Sequence, residues 1–242
     1  MGYPAVAEQF VTIRNSLTPY LRVENVTRRY GNGAEVVDAL RGVSLEVRPG
    51  QFVALVGRSG CGKTTLLNLC GGMDFPSTGT VQIGEVTTTG LSDAALTRLR
   101  RTQVGFIFQF FQLLPTLSAV EHVELPALLA GETNPRARAL ELLRFVEMET
   151  MAHRMPHQLS GGQMQRIAIA RALVNNPRIL LADEPIGNLD TTTGELVLNL
   201  LRRTARERQT IILMATHSME STNYCDLVVR MRDGRIEETI ER

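Results

Sequence analysis

Lysine, tryptophan and cysteine are scarce in this chain of 242 residues, and long apolar runs are lacking. The 26 basic residues comprise one lysine and 25 arginines, and there is no tryptophan. The cysteines Cys61, Cys70 and Cys225 are odd in number and have no C-x-x-C spacing, which argues against a disulfide framework or a zinc site and for reduced thiols. Because no run approaches the ~18 apolar residues that a spanning helix needs, the sequence predicts no membrane span.

Charge is nearly balanced as well, with a formal net charge of +1 and no dense basic tract. That argues against a nucleic-acid binder, which needs cations for phosphate contacts. A chain that is 43% hydrophobic can bury the core of one domain with a subdomain. Residues 1–20 lack the basic start and apolar stretch of a secretory signal, so we interpret them as an extension before the first strand.

Apolar patterning predicts alternating strands and helices. Continuous apolar runs at residues 52–56, 179–182 and 211–215 are typical of strands buried on both faces. Helical periods between and after these runs predict a parallel sheet and an α/β fold. Leucines at helical spacing, punctuated by prolines, predict a helical insertion over about residues 92–160. A terminal hairpin is predicted to turn at Asp233-Gly234.

The single lysine, Lys63, lies in a G-x-x-x-x-G-K-T pattern over residues 57–64. This pattern is a phosphate-binding loop, in which backbone N–H groups surround the phosphates and the lysine reaches the β- and γ-oxygens. It follows a buried strand and opens a predicted helix, which is the context that the motif requires. The alternative is chance placement of a lone lysine in an arginine-biased chain.

A second motif, Leu159-Ser160-Gly161-Gly162-Gln163, opens a helix about 100 residues later. Free N–H groups and the helix dipole make such a turn an anion site. The alternative is an ordinary N-cap with a glycine turn. Because the same chain also contains a phosphate-binding loop, we favour the anion site.

These residues resemble the nucleotide-binding subunits of ABC transporters, and the resemblance covers Leu21 to the C-terminus. Residues 159–163 match the family's signature motif. The resemblance implies a P-loop NTPase core with a mixed, mainly parallel sheet, an N-terminal antiparallel β subdomain and the helical insertion. It makes residues 21–242 one ABC ATPase domain and implies ATP and Mg²⁺ as ligands.

The resemblance also assigns roles by position. Glu184 takes the role of catalytic base and His217 that of the switch histidine, whereas Asp183, Thr64 and Gln109 are placed at the metal. The residues implied in ATP binding are Tyr30, Gly57, Arg58, Ser59, Gly60, Cys61, Gly62, Lys63, Thr64, Thr65 and Gln109. For Tyr30, which would stack on adenine, packing in the core is the alternative. We interpret His122, His153 and His157 as surface or packing residues.

Family members pair head to tail, so each ATP is held by the phosphate loop of one subunit and the signature of another. The residues that would act in trans are Ser160, Gly161, Gly162, Gln163 and Asp190. The resemblance therefore predicts a homodimer or a paired ABC subunit, an integral membrane permease bound through the helical subdomain, and a peripheral position on the cytoplasmic face of the membrane.

Residues 100–117 closely resemble the ATPases of lipoprotein release and macrolide export, a group that includes the cell-division ATPase FtsE. The function expected is ATP hydrolysis that drives export or mechanical work through a membrane subunit. The alternative is an FtsE-like regulatory ATPase that transports nothing. A soluble ATPase of DNA repair or translation would need coiled-coil insertions or a second ATPase domain, and neither is seen. Apolar residues after Gln109 form either the floor of a permease groove or ordinary core, namely Phe110, Phe111, Leu113 and Leu114.

Overall fold

A computed structural model of the protein describes residues 18–31 and 36–242. Most of the predicted extension, residues 1–17, lies outside these residues. The described chain forms ten strands and six α-helices. The strands are β1 (Leu21–Tyr30), β2 (Val37–Val47), β3 (Phe52–Val56), β4 (Thr78–Ile83), β5 (Val86–Thr87), β6 (Val104–Ile107), β7 (Ile179–Asp183), β8 (Ile211–Thr216), β9 (Leu227–Arg232) and β10 (Arg235–Glu241). The helices are α1 (Lys63–Cys70), α2 (Asp93–Gln103), α3 (Ala119–Leu129), α4 (Pro135–Phe145), α5 (Gly161–Leu173) and α6 (Thr191–Arg208).

The strands form two sheets. Strands β2-β1-β4-β5 make an antiparallel sheet of four strands, and β10-β9-β3-β8-β7-β6 make a sheet of six. In the second sheet every pair of neighbouring strands is parallel except one. The exception is the edge strand β10, which pairs antiparallel with β9. The predicted α/β fold with a mixed, mainly parallel sheet and an N-terminal antiparallel unit is confirmed.

The central strands of the six-stranded sheet, β3, β7 and β8, are buried on both faces. Alternate residues of its central strands enter two separate apolar clusters, so that Ala54 and Ile212 belong to one and Val53 and Leu213 to the other. The first cluster contains the apolar faces of α3, α4, α5 and α6, whereas the second contains α1 and the antiparallel sheet. This two-sided burial explains why these strands are apolar without alternation.

One feature of the predicted helical insertion is wrong. Residues Val104–Ile107, inside the range of about 92–160, form strand β6 and pair with β7 in parallel. A four-residue buried strand shows no periodicity that separates it from a helical segment, and length alone does not decide for so short a run. The helices that follow β6, α3 and α4, pack against each other and against α5. The division of the chain into an extension, a domain and a helical subdomain stays a prediction.

Parallel pairing brings the ends of several strands to one edge. Val56 at the end of β3 lies opposite Thr216 at the end of β8, and Asp183 at the end of β7 lies opposite Ala215. Ligand sites of open α/β sheets lie outside the carboxyl ends of the strands. Within the described residues, no helix combines the length and hydropathy that a membrane crossing requires.

Candidate functional site

The phosphate-binding loop connects β3 to α1, as the sequence predicts. Lys63 begins the helix and is only 9% exposed. Its Nζ donates hydrogen bonds to the carbonyl oxygens of Gly57, at 2.8 Å, and Arg58, at 3.2 Å. The ammonium therefore bends back over the loop, where its charge faces the space that the loop encloses.

Gly62, which caps α1, cannot carry a side chain at this position. Its φ is +105°, and a Cβ would lie 2.6 Å from the backbone oxygen of Ala39. The loop thus approaches β2 too closely for any residue but glycine, with a backbone conformation that other residues rarely adopt. This contact fixes the N-terminus of α1, whose free N–H groups favour an anion.

Two acidic residues lie beside the loop at the end of β7. The Thr64 hydroxyl donates to Asp183 Oδ2 at 3.0 Å. Burial raises the pKa of Asp183, and the hydrogen bond from Thr64 opposes that effect. A carboxylate and a hydroxyl on facing elements thus point at each other across the mouth of the loop.

Glu184, the next residue, has a left-handed backbone with φ of +48°. Such a conformation is uncommon for residues other than glycine and is found more often at functional sites. Its Oε2 lies 3.0 Å from His217 Nδ1, and His217 is 71% exposed. The contact is close enough for an ion pair, but its angles do not make a hydrogen bond, so among the described residues Oε2 has no hydrogen-bond partner.

A cleft of about 460 Å³ joins these groups. Its lining comes from the edge of β2, the phosphate-binding loop with Lys63, Thr64 and Thr65, and the ends of three strands with Gln109, Asp183, Glu184 and His217. The structure thus brings residues predicted for phosphate, metal and catalysis together within one subunit, although Gly57, Arg58 and Cys61 do not line this cleft and all the roles stay predictions.

The donor set of this cleft fits Mg²⁺. Thr64 and Asp183 offer hard oxygen donors, and Mg²⁺ commonly takes one or two such protein groups and completes its shell with phosphate oxygens and water. Residues 18–31 and 36–242 hold no cluster of three or more His, Cys, Asp or Glu side chains suited to a metal.

The predicted signature residues lie elsewhere. Ser160 caps α5, its backbone N–H donating to Gln163 Oε1 at 2.9 Å, and the free end of this helix is partly exposed. Gly162 packs against α6 so closely that a Cβ would lie 2.1 Å from Thr193 Cγ2. Asp190 caps α6 by accepting from Thr193 N–H at 3.0 Å. None of the five residues predicted to act in trans lines the described cleft.

Tyr30 is 38% exposed and therefore does not pack in the core, which was the alternative interpretation. Its hydroxyl donates to Asp74 at 2.6 Å, and the Arg28 guanidinium lies 4.4 Å from the ring centroid. One ring face is thus covered by a cation, and the predicted stacking on adenine stays a prediction.

The segment after Gln109 is held by two side chains that sequence patterns do not reveal. Arg171 donates to the carbonyl oxygens of Phe111, at 2.8 Å, and Gln112. His122 Nε2 accepts from Leu114 N–H at 2.7 Å, so its proton is on Nδ1, which donates to the Ser118 carbonyl at 2.9 Å. Within the held segment, Phe110 and Leu114 are 67% and 52% exposed.

His122 should make stability depend on pH. Burial lowers the pKa of His122, partly opposed by its bond to the Ser118 carbonyl, and Arg171 acts in the same direction as burial. The unfolded chain therefore binds a proton near the ordinary pKa of about 6.5, while the folded chain resists it. We expect the free energy of unfolding to fall as the pH drops below about 6.5. Urea titrations at several pH values measure this.

His122→Gln is the matched variant, since Gln keeps an acceptor and a donor without a titrating group. It should show a smaller loss of stability on acidification. The control is His153→Gln at an exposed histidine, which should behave like the wild type. An equal acid response in His122→Gln and wild type would contradict the prediction.

Comparison with known proteins finds relatives that all belong to one family. A family model described as ABC transporter matches residues 40–187. An uncharacterized ABC transporter ATP-binding protein of Methanocaldococcus jannaschii is 43% identical over 224 residues, which are 90% of this chain and 95% of the relative. The lipoprotein-releasing system ATP-binding protein LolD of Gluconobacter oxydans is 45% identical over 218 residues, 89% of this chain and 94% of the relative. A solved dimeric ATP-binding cassette in a post-hydrolysis state, bound to ADP and Pi, superposes with a TM-score of 0.82 at 41% identity, covering 91% of this chain and 98% of the solved one.

Proposed function

The chain belongs to the ABC transporter ATP-binding family, and from that premise we propose that it powers a separate membrane subunit for export or for mechanical work across the membrane. It is an ATP-binding subunit and an ATPase. The observation that carries the proposal is the cleft in which Lys63, Thr64, Asp183, Glu184 and His217 meet. The export branch is supported by relatives named as lipoprotein-releasing ATP-binding proteins.

The cleft supports in-line attack of water on the γ-phosphate of ATP. The loop N–H groups and the Lys63 ammonium hold the β- and γ-phosphates and stabilise charge on them. Glu184 Oε2, buried and without a hydrogen-bond partner among the described residues, accepts a proton from the attacking water. His217, 3.0 Å from that oxygen, orients the carboxylate. The P–O bond to ADP breaks, and phosphate is released.

Thr64 and Asp183 are the groups that would hold Mg²⁺, with Gln109 at the same cleft. The metal would neutralise negative charge on the phosphates. Asp183 is suited to this role because the hydrogen bond from the Thr64 hydroxyl already holds its carboxylate in one orientation. Little further ordering of that side chain would then be needed when the metal binds. Burial raises the pKa of Asp183, and a nearby cation would oppose that effect by favouring the charged carboxylate.

The separation of the two motifs supports a head-to-tail dimer. The phosphate-binding loop lines the cleft, but the partly exposed first turn of α5 does not. A second subunit would complete the site by placing its Ser160–Gln163 turn against the γ-phosphate, where helix N–H groups attract anions. The dimeric state of the solved relative with ADP and Pi supports this assembly.

An apolar groove offers a place for the membrane subunit. It measures about 480 Å³ and lies between β6, α3 and α5, with Phe108, Gln112, Pro126 and Leu129 in its lining. The exposed side chains of Phe110, Leu114 and Leu128 are close by in the chain, on the same segments. An amphipathic helix from the cytoplasmic side of a permease would cover them. The subunit would then sit peripherally on the cytoplasmic face of the membrane.

Co-purification tests this proposal. The chain and the membrane protein encoded beside it should co-purify from detergent, and the double variant Phe110→Ser, Leu114→Ser should lose that complex while keeping the ATPase rate of the free subunit. The control is Leu196→Ser, which changes a residue 51% exposed on α6. A complex unaffected by the double variant would contradict docking at the exposed surface beside the groove that Phe110 and Leu114 form.

The identity of the partner decides the branch. A permease with a large periplasmic domain supports export or mechanical transmission. A small division-linked membrane protein supports the FtsE-like alternative and would overturn the export branch.

A further inference from the structure

Gln165, in the second turn of α5, is a fully buried amide. Its Nε2 donates to the carbonyl oxygen of Pro185 at 2.7 Å. Its Oε1 is buried and has no hydrogen-bond partner among the described residues. A half-satisfied buried amide is costly relative to an apolar residue of the same shape, so its presence here calls for a reason beyond packing.

The acceptor belongs to the turn that carries Glu184. Glu184 has a left-handed φ of +48° and precedes proline, which disfavours helical backbone in the residue before it. Two backbone bonds hold this conformation, from Glu184 N–H to Ala215 at 3.0 Å and from Gly187 N–H to Glu184 at 3.1 Å. The Gln165 bond is a third restraint, and it comes from a separate element, α5.

We infer that Gln165 is a positioning residue for the hydrolysis step, because it fixes the Pro185–Ile186 peptide in the turn that carries Glu184 and so restrains the direction of the Glu184 carboxylate. The inference rests on the proposed role of Glu184 as base. Without the Gln165 bond, the Pro185 carbonyl loses its restraint and Glu184 Oε2 leaves its place beside His217. Displacements of about 1 Å at a reacting group cost up to about a hundredfold in rate.

The position of Gln165 also links two functional parts. The same helix begins with the signature turn, and its Gly162 packs on Thr193 of α6. A shift of α5 on contact with the nucleotide of another subunit would therefore pull on the turn that holds Glu184. The hydrogen bond from Gln165 to the Pro185 carbonyl directly connects helix α5 to the turn that holds Glu184.

The test replaces Gln165 by Met, which has similar length and no donor. We expect kcat for ATP hydrolysis to fall about tenfold while KM for ATP stays within about twofold. Gln82→Met is the matched control, since Gln82 Nε2 makes the same kind of bond, to the Gly84 carbonyl at 2.9 Å, far from the cleft. It should keep the wild-type kcat. An unchanged kcat in folded Gln165→Met, or an equal fall in Gln82→Met, would overturn the inference.

A second readout needs no nucleotide. Hydrogen exchange of the Gly187 amide, which donates to Glu184, should be about tenfold faster in Gln165→Met and unchanged in Gln82→Met. If Gln165→Met does not fold, Gln165→Leu, which is also apolar and has no donor, is the second variant, with the same expectations. Failure of both to fold would overturn the inference, since Gln165 would then act in folding. If wild type itself hydrolyses no ATP, or Glu184→Gln hydrolyses at the native rate, the proposed function fails instead.

Discussion

Glu184→Gln is expected to hydrolyse ATP at least about a hundredfold more slowly than wild type while binding it normally. The substitution keeps the size of the side chain but removes the carboxylate oxygen that lies 3.0 Å from His217 and that we propose as the proton acceptor. Bound ATP then persists, and the two subunits that share it remain associated. The measurements are steady-state ATPase rates and gel filtration with and without ATP and Mg²⁺.

Glu207→Gln is the control for that experiment, because Glu207 is an exposed acid at the end of α6. It should hydrolyse ATP and elute as wild type does. Native turnover by Glu184→Gln would exclude Glu184 as the base. Loss of turnover without an ATP-dependent dimer would instead contradict the head-to-tail assembly.

Lys63→Arg is expected to lower ATP turnover by about a hundredfold. The native ammonium is 9% exposed and reaches two loop carbonyls at 2.8 and 3.2 Å. The planar guanidinium is wider than an ammonium and needs a different arrangement of acceptors. It would displace the loop or stay outside it. ATP affinity by equilibrium binding and turnover by phosphate release are the measurements.

The control for the lysine is the reverse change, Arg202→Lys, at an exposed arginine on α6. Turnover should not change there, because surface cations are interchangeable when they make no specific contact. Full activity in Lys63→Arg would mean that the single lysine of the chain has no special role at the phosphates.

Sequence alone predicts much of the site because its residues lie at strand ends or helix starts. Asp183, Glu184 and His217 follow apolar strands, and Lys63 opens a helix after another, so parallel pairing is enough to predict that they meet. Strand β6 was placed in a helical region because four apolar residues carry no period.

The restraints on the site could not be predicted in the same way. Gln165 bonds to a residue 20 positions away and Arg171 to one 60 positions away, and neither side chain stands out from its neighbours on α5. His122 was interpreted as a surface or packing residue, and the structure shows it buried, with both ring nitrogens bonded. Such contacts depend on how α5 and α3 pack on the loops, which periodicity does not specify.

Because the chain has a single lysine, amine-directed reagents can label one known side chain. A reagent that acylates side-chain amines has a single target here, and in the folded protein that target is buried and hydrogen-bonded within the loop. The extent of labelling at one peptide therefore reports on the opening of the phosphate-binding loop. A protease that cleaves after lysine would cut the unfolded chain once, into residues 1–63 and 64–242. The cut would separate the antiparallel strands β1 and β2 from the turn that carries Glu184.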